Sequence, residues 1–239
     1  MDPRIASINN NVGNIKNVIA IVSGKGGVGK SIISTLMAIQ LAKMGYKVGL
    51  LDTDFTSPST HVILGVKDVT PIEDKGIIPP EIYGIKYMSI TYYTQNNPIP
   101  LRGKEISNAL MEILTITKWK SLDYLVIDAP PGISDIILDM LRIEWNIKFI
   151  IVTTPSKLAM ETVNKLIKLL LEQNAEIIGI IVNMVLNEEE VKEIEKLKVK
   201  ILSKIPFQYD IEKKLGNVEE LIKTEIFKEI QKITLNLSL

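Results

Sequence analysis

Short apolar runs alternate along the chain with longer stretches in which apolar residues recur every three or four positions. The first kind predicts strands at 18–23, 47–52, 86–90, 124–128, 149–153, 177–182 and 200–205. The second predicts helices at 30–44, 104–117, 136–142, 158–173 and 218–233. Val18-Ile19-Ala20-Ile21-Val22 and Leu125-Val126-Ile127 are apolar at every position, as strands covered on both faces must be. Strand and helix patterns in alternation predict an α/β fold: a doubly wound, mostly parallel sheet with helices on both faces. Proline-rich residues 66–103 read as an irregular connection with an edge strand. No repeat or linker divides the chain, so residues 1–239 read as one domain.

Polar clusters follow the strand runs: Ser23-Gly24-Lys25, Asp52-Thr53-Asp54, Asp128-Ala129-Pro130-Pro131-Gly132, Thr153-Thr154-Pro155 and Asn183-Met184. Ligands of open parallel sheets bind beyond the carboxyl ends of the strands, which is where these clusters lie. Gly24-Lys25-Gly26-Gly27-Val28-Gly29-Lys30-Ser31 joins a strand to a helix and has the spacing of a phosphate-binding loop. Its glycines let backbone N–H groups face phosphate oxygens, Lys30 reaches the β- and γ-phosphates, and Ser31 is placed for Mg²⁺. Asp128 ends a strand opposite, where a carboxylate suits Mg²⁺, and Gly132 is placed to offer its amide to a γ-phosphate. Asp52 and Asp54, at i and i+2 on an extended segment, point the same way. Asp54 is expected to orient the attacking water and Asp52 to support the metal. The alternative for the pair is a helix cap or Asx turn ahead of Ser57-Pro58-Ser59. A nucleotide and Mg²⁺ are the expected ligands.

Hydrophobic residues make up 46% of the chain, ample for a core, and the net charge of zero gives no general attraction to nucleic acid. Without cysteine the chain forms no disulfide and by itself holds no thiolate-ligated metal or iron–sulfur cluster. Met1-Asp2-Pro3-Arg4-Ile5 lacks a signal-peptide layout, and no apolar run reaches the ~18–20 residues of a membrane span, so a cytoplasmic location is expected. His61, the single histidine, cannot build a transition-metal site alone. The amphipathic stretch 221–233 mixes Glu225 and Glu229 with Lys228 and Lys232. It is expected to pack on the core, since a membrane-surface helix carries a cationic face. Trp119, Tyr92, Tyr93 and Trp145 are too scattered for a base-stacking platform.

The motifs resemble those of the deviant Walker A ATPases, the MinD/ParA/Mrp group of SIMIBI P-loop proteins. Lys25 is similar to that group's signature lysine. Asp52-Thr53-Asp54-Phe55-Thr56-Ser57-Pro58-Ser59 resembles the Mrp motif Asp-x-Asp-x-x-x-Pro-Ser, and residues 123–132 resemble its second switch. Val152-Thr153-Thr154-Pro155-Ser156, Val182-Asn183-Met184 and Ile205-Pro206-Phe207 follow in the family's order, so the resemblance runs from about residue 15 to 221. It implies an ATP-dependent homodimer enclosing two ATP molecules, with Lys25 crossing to the partner's phosphates. Lys25, Lys30 and Asp54 would be catalytic. Gly24, Lys25, Gly26, Gly27, Val28, Gly29, Lys30, Ser31 and Ile32 would cradle the phosphates, Gly132 would read the γ-phosphate, and Asn183 with the backbone at Pro206 would recognise adenine. Ser31, Asp52 and Asp128 would serve the metal. No guanine-reading Asn-Lys-x-Asp occurs at 183–186, which favours ATP over GTP.

Two departures stand out. Ile32 replaces a threonine that would contact the α-phosphate, and the Cys-x-x-Cys of iron–sulfur carriers is missing after Asn183-Met184. Residues 185–196 read instead as an exposed helix with pairs such as Glu188–Lys192. Over 30–35, 61–65 and 100–107 the chain is similar to a cysteine-less archaeal Mrp-type branch that acts as HypB in [NiFe] hydrogenase maturation. That likeness implies an ATP-driven metallocentre-assembly factor inserting nickel, with the metal on a HypA-like metallochaperone or other metalloprotein client. The alternatives are a MinD/ParA-type spatial organiser on membrane or DNA and an Mrp-type iron–sulfur cluster carrier. Charge balance and the mixed terminal helix disfavour the first, and the lack of cysteine the second, so neither a nucleic-acid nor a membrane partner is expected.

Overall fold

A computed structural model describes residues 3–66, 69–94, 101 and 103–237. The chain opens with α1 (Arg4–Val12), β1 (Ile15–Ser23), α2 (Lys30–Lys43), β2 (Val48–Asp52) and α3 (Thr60–Leu64). Short strands β3 (Ile72–Glu73), β4 (Ile77–Ile78) and β5 (Glu81–Ile82) lead into β6 (Ile85–Ser89), α4 (Thr91–Thr94) and α5 (Lys104–Ile116). Next come β7 (Leu122–Asp128), α6 (Asp135–Met140), β8 (Ile147–Thr153), α7 (Lys157–Glu172) and β9 (Glu176–Val185). A 3₁₀ turn precedes α8 (Lys192–Glu195) and β10 (Ile201–Pro206), and a second precedes α9 (Val218–Leu221) and α10 (Glu225–Leu235).

Eight strands form one sheet in the order β10-β9-β8-β1-β7-β2-β6-β5. Every pairing is parallel except that of β5 with β6, and β3 pairs with β4 in a separate antiparallel ribbon. The apolar run 18–22 of central strand β1 is explained by cover on both faces. Val18, Ala20 and Val22 enter one buried layer with Leu110, Ile137 and Leu166 of α5, α6 and α7. Ile19 and Ile21, on the other face of the pleat, pack with Leu36 and Ile39 of α2 and with Phe227 and Ile230 of α10. The apolar side of α10 is thus buried against α2 and β10.

Three expectations need correction. The helix expected at 218–233 is broken, because the Thr224 hydroxyl bonds to the Leu221 carbonyl and accepts from Phe227 N–H, ending one helix and capping the next. Residues 188–196 form only a 3₁₀ turn and the four-residue α8, seated by fully buried Val191 and Ile194. The side chain of Glu188, in the expected pair with Lys192, lies outside the described residues, as do Pro100 and Arg102; Lys192 lies 3.9 Å from Glu189. The pattern also missed α1, whose Ile8 and Val12 are buried and whose Asn11 donates to the carbonyls of Leu114 and Thr115 on α5.

Candidate nucleotide-binding site

Parallel pairing brings the carboxyl ends of β1, β7 and β2 to one edge, with Asp52 and Asp128 as register partners. From Ser23 the chain turns through the glycine loop into α2. Gly27 and Gly29 have φ of 75° and 85°, a region that side-chain-bearing residues rarely adopt. Gly29 caps α2 without any side-chain hydrogen bond, so the first-turn N–H groups face outward for an anion. A Cβ at Gly24 would stand 2.6 Å from Thr162 Oγ1 and 2.8 Å from Val163 N, so α7 rests directly on the loop. Val28 is buried in the core, and Asn183 Nδ2 donates to its carbonyl at 2.9 Å.

The electrostatic centre is Asp128, which is fully buried. Its Oδ1 accepts from Lys30 Nζ at 2.6 Å and from Ser34 Oγ at 2.9 Å, and its Oδ2 accepts from Ser31 Oγ at 2.7 Å. Lys30 is only 6% exposed, so this is a desolvated ion pair held by additional hydrogen bonds. Ser34 was not among the expected site residues; its spacing of three from Ser31 puts both hydroxyls on one helix face, the one sign that could have revealed it. The Ser31 hydroxyl and Asp128 carboxylate are hard oxygen donors meeting at one point beside a glycine cradle, so the residues fit Mg²⁺ and a nucleotide phosphate.

Asp52 is placed differently from expectation. Its Oδ1 accepts the Asp54 N–H at 3.0 Å, and its Oδ2 accepts Ser59 N–H, Thr60 N–H and the Thr60 hydroxyl at 3.2, 3.2 and 2.6 Å. Both oxygens are therefore engaged by the chain itself, in the cap and Asx-turn arrangement that was the alternative for the pair. Burial, and then the Asp128 charge, push its pKa up to about 7 despite the stabilising Thr60 bonds and Lys30. Asp54 Oδ1 accepts from the Thr56 hydroxyl and Ser57 N–H, both at 3.1 Å, on the loop beyond β2.

Other expected site residues are engaged within the chain. Gly132 N–H donates to the Ser23 carbonyl at 2.9 Å, so it reaches a phosphate only if that bond opens. Lys25 Nζ donates to Ser156 Oγ, at the start of α7, at 3.3 Å. Asn183 braces the loop: a Cβ at Gly29 would fall 2.3 Å from its amide nitrogen. Ile32 packs against the apolar layer shared with α10. Pro206 is exposed at the end of outer strand β10, where the next residue, Phe207, bonds through its N–H to the Val185 carbonyl. His61 is half-buried, with its pKa lowered by burial and Nδ1 unpartnered. No group of three or more His, Asp or Glu suited to a metal occurs among the described residues.

A ParA family model, described as NUBPL iron-transfer P-loop NTPase, matches residues 14–238. An iron-sulfur cluster carrier protein of Aquifex aeolicus is 34% identical over 94% of this chain, and the chain spans 66% of that protein's length. A nucleotide-binding protein of Archaeoglobus fulgidus, solved in complex with ADP, superposes with a TM-score of 0.77 at 31% identity, covering 94% of this chain and 96% of that one. The Pyrococcus furiosus cell division ATPase MinD, at 22% identity and a TM-score of 0.69 over 92% of this chain and 98% of its own, shares the fold. These findings overturn the expected nickel insertion with a HypA-like partner, because the family model and the curated relative both concern iron. Of the stretches behind that expectation, 30–35 supplies the side chains that meet Asp128, and 61–65 forms most of α3. The spatial-organiser alternative rests on a likeness of fold alone. No helix among the described residues is long and apolar enough to cross a membrane.

Proposed function

Because the chain belongs to the ParA family of NUBPL iron-transfer P-loop NTPases, we propose that it is an Mg²⁺-dependent ATPase whose nucleotide state governs iron–sulfur cluster transfer. The observation that carries the ATPase reading is the convergence of Lys30, Ser31 and Ser34 on buried Asp128 beside the glycine loop. The ADP bound to the Archaeoglobus relative supports the choice of nucleotide. The cluster is cargo. With no cysteine in the chain, its thiolate ligands come from a partner protein.

In the ATP state Lys30 leaves Asp128 for the phosphates, and the loop N–H groups and the α2 N-terminus share the rest of their charge. Ser31 and Asp128 would hold Mg²⁺, which would supply positive charge against the phosphates. Asp54 orients the attacking water; the bond to the leaving ADP oxygen breaks, giving ADP and phosphate. Gly132 exchanges the Ser23 carbonyl for the γ-phosphate, which makes the loop after β7 sensitive to hydrolysis. Lys25 leaves Ser156 and crosses to a second subunit, so ATP closes a homodimer and hydrolysis reopens it. A partner that prefers one of these states is gripped and released in turn.

Light scattering after gel filtration tests this account. With Mg-ATP the protein should run as a dimer and with ADP as a monomer, while Lys25→Ala should remain monomeric in both. A Lys25→Ala protein that dimerises on ATP as the parent does would refute the cross-subunit role.

A further inference from the structure

Behind the nucleotide face runs a buried chain of hydrogen bonds that ends at the catalytic loop. Tyr87 on β6 is fully buried, and its hydroxyl lies 2.8 Å from Thr60 Oγ1. Thr60 Oγ1 in turn lies 2.6 Å from Asp52 Oδ2. The carboxylate accepts, so the single Thr60 proton points to Asp52 and the Tyr87 O–H donates to Thr60. Asp52 Oδ1 then takes the Asp54 N–H, while Oδ2 takes those of Ser59 and Thr60. One carboxylate thus holds both ends of the irregular segment 54–59, closing the loop that carries Asp54. Its base is firm, because Asp52 and Tyr87 sit on adjacent parallel strands whose register pairs Leu50 with Tyr87 and Asp52 with Ser89.

We propose that Thr60 and Tyr87 are positioning residues, which lock the Asp52 carboxylate in the orientation that closes this loop and so fix Asp54 for hydrolysis. Thr60 is the hinge of the device, since its hydroxyl fills one role as donor and another as acceptor. Its loss leaves the Asp52 oxygen and the Tyr87 hydroxyl buried with a partner missing. The consequence is a displaced Asp54 loop with the phosphate cradle of α2 intact. Displacement of this kind falls on the chemical step more than on nucleotide binding.

The test uses the full chain with Thr60→Val, Thr60→Ser and Tyr87→Phe. Hydrogen exchange of the apo protein, followed by NMR, should show the Asp54 amide exchanging about 10-fold faster or more in Thr60→Val, with the amides of β7 unchanged. Turnover of Mg-ATP should show kcat falling about 10-fold or more with KM within about 3-fold, Tyr87→Phe intermediate, and Thr60→Ser near the parent. Wild-type exchange at Asp54 together with wild-type kcat in Thr60→Val would overturn the proposal. So would a joint collapse of kcat and KM that serine does not rescue. The turnover arm rests on the ATPase reading. A parent protein without turnover sinks that reading, and the exchange arm still decides whether the clamp exists.

Discussion

Replacing Lys30 with methionine should destabilise the nucleotide-free protein by about 3–5 kcal/mol, the cost of leaving a buried carboxylate without its cation. Asp128 is fully buried and Lys30 nearly so, with 2.6 Å between their charged atoms. Methionine keeps the stem's volume, so the loss isolates the charge from the packing. The hydroxyls of Ser31 and Ser34 remain on Asp128 and keep the loss from being larger. Adding Asp128→Asn removes the stranded charge, and the double variant should recover more than half of the deficit. Urea unfolding of the two single variants and the double variant measures this coupling. The same Lys30→Met protein should bind ATP too weakly to detect by calorimetry, because the lysine that pairs with Asp128 in the empty site is the one that meets the phosphates. A loss below about 1 kcal/mol would mean that the pair is solvated like a surface bridge.

Asp54→Asn should lower kcat by about 100-fold or more while leaving ATP affinity within a few-fold of the parent, as expected when a water-orienting carboxylate is lost. The amide is isosteric and keeps an acceptor for Thr56 and Ser57, so the loop stays folded. What it lacks is the charge that aligns and polarises the water. Stopped turnover with retained binding should also hold the ATP-bound dimer, a trap for partners. Single-turnover hydrolysis beside equilibrium binding separates the two effects, and an unchanged hydrolysis rate would remove Asp54 from the mechanism.

The sheet was legible because its code is short-range. The apolar runs 18–22 of β1 and 125–127 of β7 can only mean cover on both faces, and glycines at 27 and 29 sit where the backbone takes positive φ. The amphipathic run after 221 announced its own packing against the sheet. What stayed hidden depends on partners far apart in the chain. Ser34 looks like any helical serine until the fold brings Asp128, 94 positions on, to within 2.9 Å. Asp52 and Asp54 carry equal sequence signals, yet burial and four local donors tie Asp52 to the loop and helix that follow it. Asn183, expected at adenine, braces the phosphate loop through the Val28 carbonyl, a contact across 155 positions. The client was the least legible of all. The stretches 30–35 and 61–65 resemble a nickel-inserting branch, but the contacts of those residues serve Asp128 and α3, and the family model and the curated relative both concern iron.

The central claim is that ATP turnover on a cysteine-free chain drives cluster transfer between other proteins. An anaerobic assay with a [4Fe–4S]-loaded, cysteine-bearing donor and an apo acceptor tests it most directly, with transfer followed by the acceptor's visible absorbance. The account predicts that this protein accelerates transfer with Mg-ATP, fails to do so with ADP or as Asp54→Asn, and acquires no cluster absorbance itself. Transfer indifferent to nucleotide, or a cluster that comes to rest on this chain, would contradict it.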